Sequence, residues 1–97
     1  MYLKGMRIDI GPRPIPTVPT DEIMVDCRIY EVQISAQAAV MISIADRQNP
    51  PMNLFPPMIL PAGSSVSVTS PGGRPMPGGI TWSASAEGAE GWIELMT

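Results

Sequence analysis

Residues 24–34 read MVDCRIYEVQI. Val25, Cys27 and Ile29 share one parity, whereas Tyr30, Val32 and Ile34 share the other. Alternation of period two marks a strand with one buried face, and it changes face only where the strand bulges or passes between sheets. A bulge near Ile29–Tyr30 is therefore expected. SAQAA follows, and then VMISIAD (40–46), where Val40, Ile42 and Ile44 alternate with Met41, Ser43 and Ala45. The two runs and their short connection read as one hairpin.

Further along, RQNPPMNLFPPM (47–58) holds two Pro-Pro pairs around Met52, Leu54 and Phe55. A long irregular loop inside a small domain is uncommon and is often functional. Its apolar residues suit either a lid over an open end of the body or a contact with another molecule. MIL (58–60), a PAGSS turn and SVSVT (65–69) come next, with Val66 and Val68 expected inward and the serines outward. SPGGRPMPGG reads as a connecting loop that either presents Arg74 and Met76 or merely supplies turn geometry. In ITWSASA, Ile80, Trp82 and Ala84 share a face; in WIELM, Ile93 and Leu95 oppose Trp92, Glu94 and Met96. Six to eight short strands at regular spacing, without helical periodicity, predict an all-β body, a small β-sandwich or jelly-roll-like barrel.

Toward the N-terminus, YLKGMRIDI (2–10) reads as a short strand with Met6, Ile8 and Ile10 on one face. GPRPIPTVPT then places prolines at 12, 14, 16 and 19. Proline fixes φ and lacks the amide donor, so this segment fits neither a helix nor a central strand. The expectation is an extended Pro-rich N-terminal arm (1–20) on a body spanning 21–97, lying on another subunit or serving as a polyproline ligand. The arm holds Lys4, Arg7 and Arg13 against Asp9, a net of +2; the body holds three arginines against eight carboxylates, a net of −5. That asymmetry suits docking on an acidic surface or a neighbouring copy, although a short chain also shows such fluctuations.

Twelve prolines and nine glycines would suggest disorder, but 44% hydrophobic residues in β-branched runs require an ordered core. The acidic body lacks the basic stripe that nucleic acid demands. No run approaches the roughly 20 apolar residues of a membrane-spanning helix, and no signal peptide is recognised, so neither a nucleic-acid nor a membrane partner is expected. The single cysteine, Cys27, reads as a buried strand thiol rather than a nucleophile, because the chain has no histidine to activate it.

The same lack of histidine removes Ser-His-Asp and Cys-His catalysis and the common zinc sites. Glu87, Glu90 and Glu94 do not converge in an extended chain, and Asp21, Glu22 and Asp26 lack the spacing of a calcium loop. PGGRPMPGG has neither the lysine nor the following helix of a phosphate loop. Catalysis, cofactors and metals are accordingly not expected. Trp82, Trp92 and Tyr30 could form a sugar-stacking platform if exposed together, although Trp82 alternates with small polar residues as a core residue would. The eight methionines suit either an adaptable interface or the filling of core gaps.

CRIYEVQISAQAAVMISIAD, the strand ending in LPAGSSVSV, the Gly-rich loop and GGITWSASAEGAEGWIELM together resemble small β-sandwich structural proteins of tailed bacteriophages. These serve as capsid decoration (cement) proteins or as fibre and adaptor modules. The resemblance covers roughly residues 27–97 and leaves the Pro-rich arm and PPMNLFPPM outside it. It implies a non-catalytic virion protein on the outer capsid, often trimeric, assembled in the host cytoplasm. Such a protein binds the major capsid protein at subunit junctions and holds the shell against internal DNA pressure. Contacts are then expected from Arg7, Arg13, Pro14, Ile15, Pro16, Met52, Leu54, Phe55, Arg74 and Met76. The rival readings are a carbohydrate- or receptor-binding fibre module using Trp92, Tyr30 and Arg74, and a tail or head–tail connector component.

Overall fold

The inward-facing residues of the alternating runs meet in one core between two four-stranded antiparallel sheets. In the computed structural model, which describes residues 5–97, the strands are β1 (Arg7–Pro14), β2 (Thr20–Ile23), β3 (Cys27–Ala36), β4 (Val40–Asp46), β5 (Met58–Leu60), β6 (Ser65–Met76), β7 (Ile80–Ala84) and β8 (Ala89–Met96). The front sheet runs β1-β8-β3-β6 and the back sheet β2-β7-β4-β5. Pairing is nested: β1 with β8, β2 with β7, β3 with β6 and β4 with β5. Only β4 and β5 are consecutive strands bonded to each other; every other connection passes from one sheet to the other. The all-β sandwich expected from the alternation is what the chain forms.

The expected bulge is present, because the register of β3 shifts between Ile29 and Glu31 against both β6 and β8. Cys27 and Ile29 therefore point inward before it, and Val32, Ile34 and Ala36 after it. The expected hairpin of 24–46 does not form. β3 belongs to the front sheet and β4 to the back, so their inward faces meet across the core. Both arrangements need one apolar face per strand, so alternation alone does not separate them.

A second correction concerns SPGGRPMPGG. β6 continues through it to Met76, and the turn shrinks to residues 77–79. Ile29 pairs with Arg74 and Glu31 with Thr69, so Ser70–Gly73 are absorbed as slack opposite Tyr30. Gly73 lies at φ 84°, and a Cβ there would stand 2.9 Å from Tyr30 Cζ. The prolines are tolerated because β6 is an edge strand, with no outer neighbour to receive a donor.

The same reason explains β1, the opposite edge of the front sheet, which carries Pro12 and Pro14. An arm standing off the body is not shown. Ile10 and Ile15 are buried in the core, the Ile15 amide donates to Ala89 O at 2.9 Å, and Pro16 O accepts from the Ala84 amide at 2.8 Å. Residues 15–19 carry the chain from the front edge over to β2. Within the strand expected at 2–10, Ile10 is buried, Ile8 partly so and Met6 exposed. Residues 1–4, the start of the expected arm and strand, lie outside the described residues.

Trp82 fills the middle of the core, 1% exposed. Its ring reaches across from β7 to β8 and leaves no room for a side chain at Gly91, where a Cβ would lie 2.6 Å from Trp82 Cζ3 and 3.1 Å from Ile15 Cδ1. Gly91→Ala should therefore destabilise the protein by about 1–3 kcal/mol through overpacking. Thermal denaturation followed by circular dichroism should show a loss of several degrees in a domain of this size. An unchanged Tm would mean that the two sheets are not held apart by this contact.

Candidate functional site

Two surfaces stand out, one at an end of the sandwich and one on the outer face of the front sheet. At the end, Ile23, Ile80 and Asp46 align across the back sheet, so the 24–26 turn, the 77–79 turn and the start of the 47–57 loop converge. Short polar links tie them. Asp26 Oδ1 accepts from the Gly78 amide at 2.6 Å, Arg47 Nη1 donates to Gly78 O at 3.0 Å, and Arg47 Nε lies 3.2 Å from Asp21 Oδ2. Asp46 is buried, and its Oδ1 accepts from the amides of Gln48 and Met52 at 3.1 and 3.0 Å. Above this frame Met24 and Met52 project, 66% and 64% exposed, with Val25 beside Met24.

The residues singled out from the sequence divide sharply. Ile15, Leu54 and Met76 are buried in the protein's own core. Phe55 is partly buried against that core, so Leu54 and Phe55 close the body as a lid. Arg74 holds that lid in place. Its Nη1 and Nη2 donate to Leu54 O and Asn53 O at 3.3 and 3.4 Å, pinning the lid loop. Arg7 is exposed but pairs with Glu94 at 2.7 Å and lies 3.6 Å from Asp9. Arg13 pairs with Glu22 at 3.0 Å, whose other oxygen accepts from Trp82 Nε1 at 2.8 Å. Pro14 is exposed, Pro16 half-buried, and Met52 is the apolar candidate that remains outside.

The aromatic residues do not assemble into a three-ring platform. Trp82 is in the core and Tyr30 lies against Gly73, which leaves Trp92 on the outer face of the front sheet. Register places Trp92, Gln33 and Ser67 in one row across β8, β3 and β6, and Glu90, Ser35 and Ser65 in the next. Pro12 stands beside Trp92, because the register of β1 shifts between Ile10 and Arg13. The result is an open groove of about 420 Å³, with Trp92, Pro12 and Glu90 along its side and Gln33, Ser35, Ser65 and Ser67 in its floor. Gln33 Nε2 and Ser67 Oγ both donate to Glu31 Oε2, at 2.8 and 3.1 Å, which engages the donor side of the exposed Gln33 amide. Sequence reading found Trp92 but missed its neighbours. The only local signal for them was the outward parity of Gln33 and Ser35, and the pairing of β3 with β8 is not local.

Cys27 is buried, and its thiol is pushed up to about 11 by desolvation, with the Asp26 carboxylate adding to the effect. The shift favours the thiol over the nucleophilic thiolate at neutral pH, as for a buried packing cysteine. Among the described residues no three His, Cys, Asp or Glu side chains are gathered so as to hold a metal ion, and no helix is long and apolar enough to cross a membrane. No family model, curated protein or solved structure matches the chain.

Asp21, on the back sheet, gives a pH test of the end network. The Thr81 hydroxyl donates to its Oδ1 at 2.5 Å and is the main cause that holds its carboxyl below the ordinary 3.8; slight desolvation opposes this and Arg47 reinforces it. With the folded value below the unfolded one, the stabilisation is present above pH 3.8 and is lost as pH falls through the folded value. Carboxyl NMR should show Asp21 titrating below 3.8, and Thr81→Val should move that titration upward. An Asp21 titration unmoved by the substitution would refute the assigned cause.

Proposed function

We propose that the chain is a structural protein of a virus particle, of the decoration (cement) type found on tailed bacteriophages, which docks on the major capsid protein and on sister copies as a trimer. The nested pairing of first strand with last, second with seventh, third with sixth and fourth with fifth carries this reading. It is the winding of a jelly roll, an architecture used in viral capsid domains. The segments that resemble the phage proteins, roughly residues 27–97, build six of the eight strands of that winding.

Docking falls to the end of the sandwich where Met24, Val25 and Met52 are exposed on turns that Asp26, Asp46 and Arg47 hold in place. Methionine adapts to an irregular partner surface, and a rigid frame beneath it limits the entropy lost on binding. One such patch is small, but repetition on a symmetric shell multiplies a weak contact by avidity. Residues 5–20 contribute less than an independent arm would, since Ile10 and Ile15 are committed to the protein's own core.

Particles purified from cells producing the virus that encodes this chain should carry it in many copies on their outer surface, visible by electron microscopy. Met24→Asp together with Met52→Asp should reduce its retention on the particles about tenfold or more while the isolated protein keeps its Tm. Light scattering of the free protein should give three times the 10.4 kDa chain mass at high concentration. Absence of the chain from the particles, or an internal location, would overturn the proposal.

A further inference from the structure

The groove beside Trp92 plays no part in that docking end. Trp92 sits two pairs along β8 from Glu94, which bonds to Arg7 and faces the same side. The groove extends across three strands, about 10 Å at ordinary strand spacing, and its 420 Å³ falls in the range of small-molecule sites. Its chemistry is selective. One aromatic ring stands beside a floor made of hydroxyls and an amide, and the charged groups nearby, Glu90 and Glu31, are both acceptors.

This combination rejects most ligand classes. Among the described residues, phosphates and other anions meet carboxylates and no free cation in the lining, since Arg7 is paired with Glu94 and Arg13 with Glu22. An apolar ligand would cover the serines without bonding them, which costs free energy; a polyproline peptide has carbonyls for the serine hydroxyls but no amide donor for Glu90 or Gln33 Oε1. A ligand that offers many hydroxyl donors and one weakly polar C–H face satisfies every group. The C–H face lies on the electron-rich indole face. Hydroxyls donate to Glu90, to Gln33 Oε1 and to Ser35 and Ser65, and they accept from the serine hydroxyls in turn. Such a ligand is a neutral sugar, and three strands give room for about two linked rings.

We infer that the outer face of the front sheet, centred on Trp92, Gln33, Ser35 and Glu90, is a binding site for a neutral oligosaccharide. The inference is independent of the docking end. A decoration protein seated by its Met24–Met52 end would keep this face clear of the shell, but sugar binding is measured on the isolated chain and particle location is measured separately. Failure of one therefore leaves the other standing.

The test uses the full chain against an array of neutral oligosaccharides built from glucose, galactose and N-acetylglucosamine, with proline-rich peptides on the same array. Calorimetric titration with hexasaccharides of the positive classes follows. Saturable sugar binding is expected, with a change in tryptophan emission that comes from Trp92, since Trp82 is sealed in the core. Trp92→Ala should weaken binding at least about tenfold. Gln33→Ala and Glu90→Gln, both on the exposed face, should each weaken it several-fold with an unchanged Tm, and they keep the test valid if Trp92→Ala fails to fold. Three results would each overturn the inference: no sugar bound at millimolar concentration, sugar binding indifferent to Gln33→Ala and Glu90→Gln, or capture of the proline peptides instead.

Discussion

The contact of Trp82 with Gly91 joins the two sheets, and much of the molecule is arranged around it. The indole lies on bare backbone of β8, so the front sheet comes near enough to bury Ile93 and Leu95 in one core with Ile42 and Ile44. Its Nε1 would be a costly orphan in the core, and Glu22 of β2 accepts from it. That places a carboxylate at the side where the edges β1 and β2 come together. Arg13 of β1 neutralises it, and Ile15 closes over Gly91 from the same side. A single large residue thus recruits β1, β2, the link between them, β7 and β8. The Pro-rich segment belongs to the body for this reason.

Nested pairing settles where the prolines can go. The front sheet ends in β1 and β6, which hold Pro12, Pro14, Pro71 and Pro75, while its inner strands β3 and β8 contain none. Pro12 and Pro71 fall in the register shifts of these edges, and no strand lies beyond either edge; an edge poor in donors is also a poor template for a second chain. Composition that looks like disorder therefore protects the sheet.

Much of this is legible in the sequence, and the failures share a cause. The change of parity at Ile29–Tyr30, the inward set Ile80, Trp82 and Ala84, the opposition of Ile93 to Trp92 and the burial of Cys27 are local properties of one strand. Each appears in the structure as expected. Which strand bonds to which is not local. Val40–Ile44 repeats the pattern of Cys27–Ala36 whether the two strands lie side by side or face to face, and only the second is formed. SPGGRPM reads as a loop, because a bulge that absorbs four residues opposite Tyr30 depends on a partner far along the chain. Burial has the same ground: Ile15, Leu54 and Met76 sit among prolines and turns, yet tertiary packing draws each of them inward. Trp92 is visible as a half-exposed ring, but Gln33, Ser35 and Ser67 become its neighbours only through register.

The order of strands in the front sheet has a consequence for how the protein is made. β3 is an inner strand, and both of its neighbours, β6 and β8, lie later in the chain. During synthesis β3 therefore emerges with two open edges and an apolar face, and it keeps one edge open until the eight residues of β8 leave the ribosome. The back sheet is less exposed, because β4 and β5 can pair early as a hairpin. Folding by such distant pairings is slow, and unpaired apolar strands invite association between nascent chains. The bulge in β3 and the charged residues Arg28 and Glu31 on either side of it interrupt that open strand during the interval before β8 arrives.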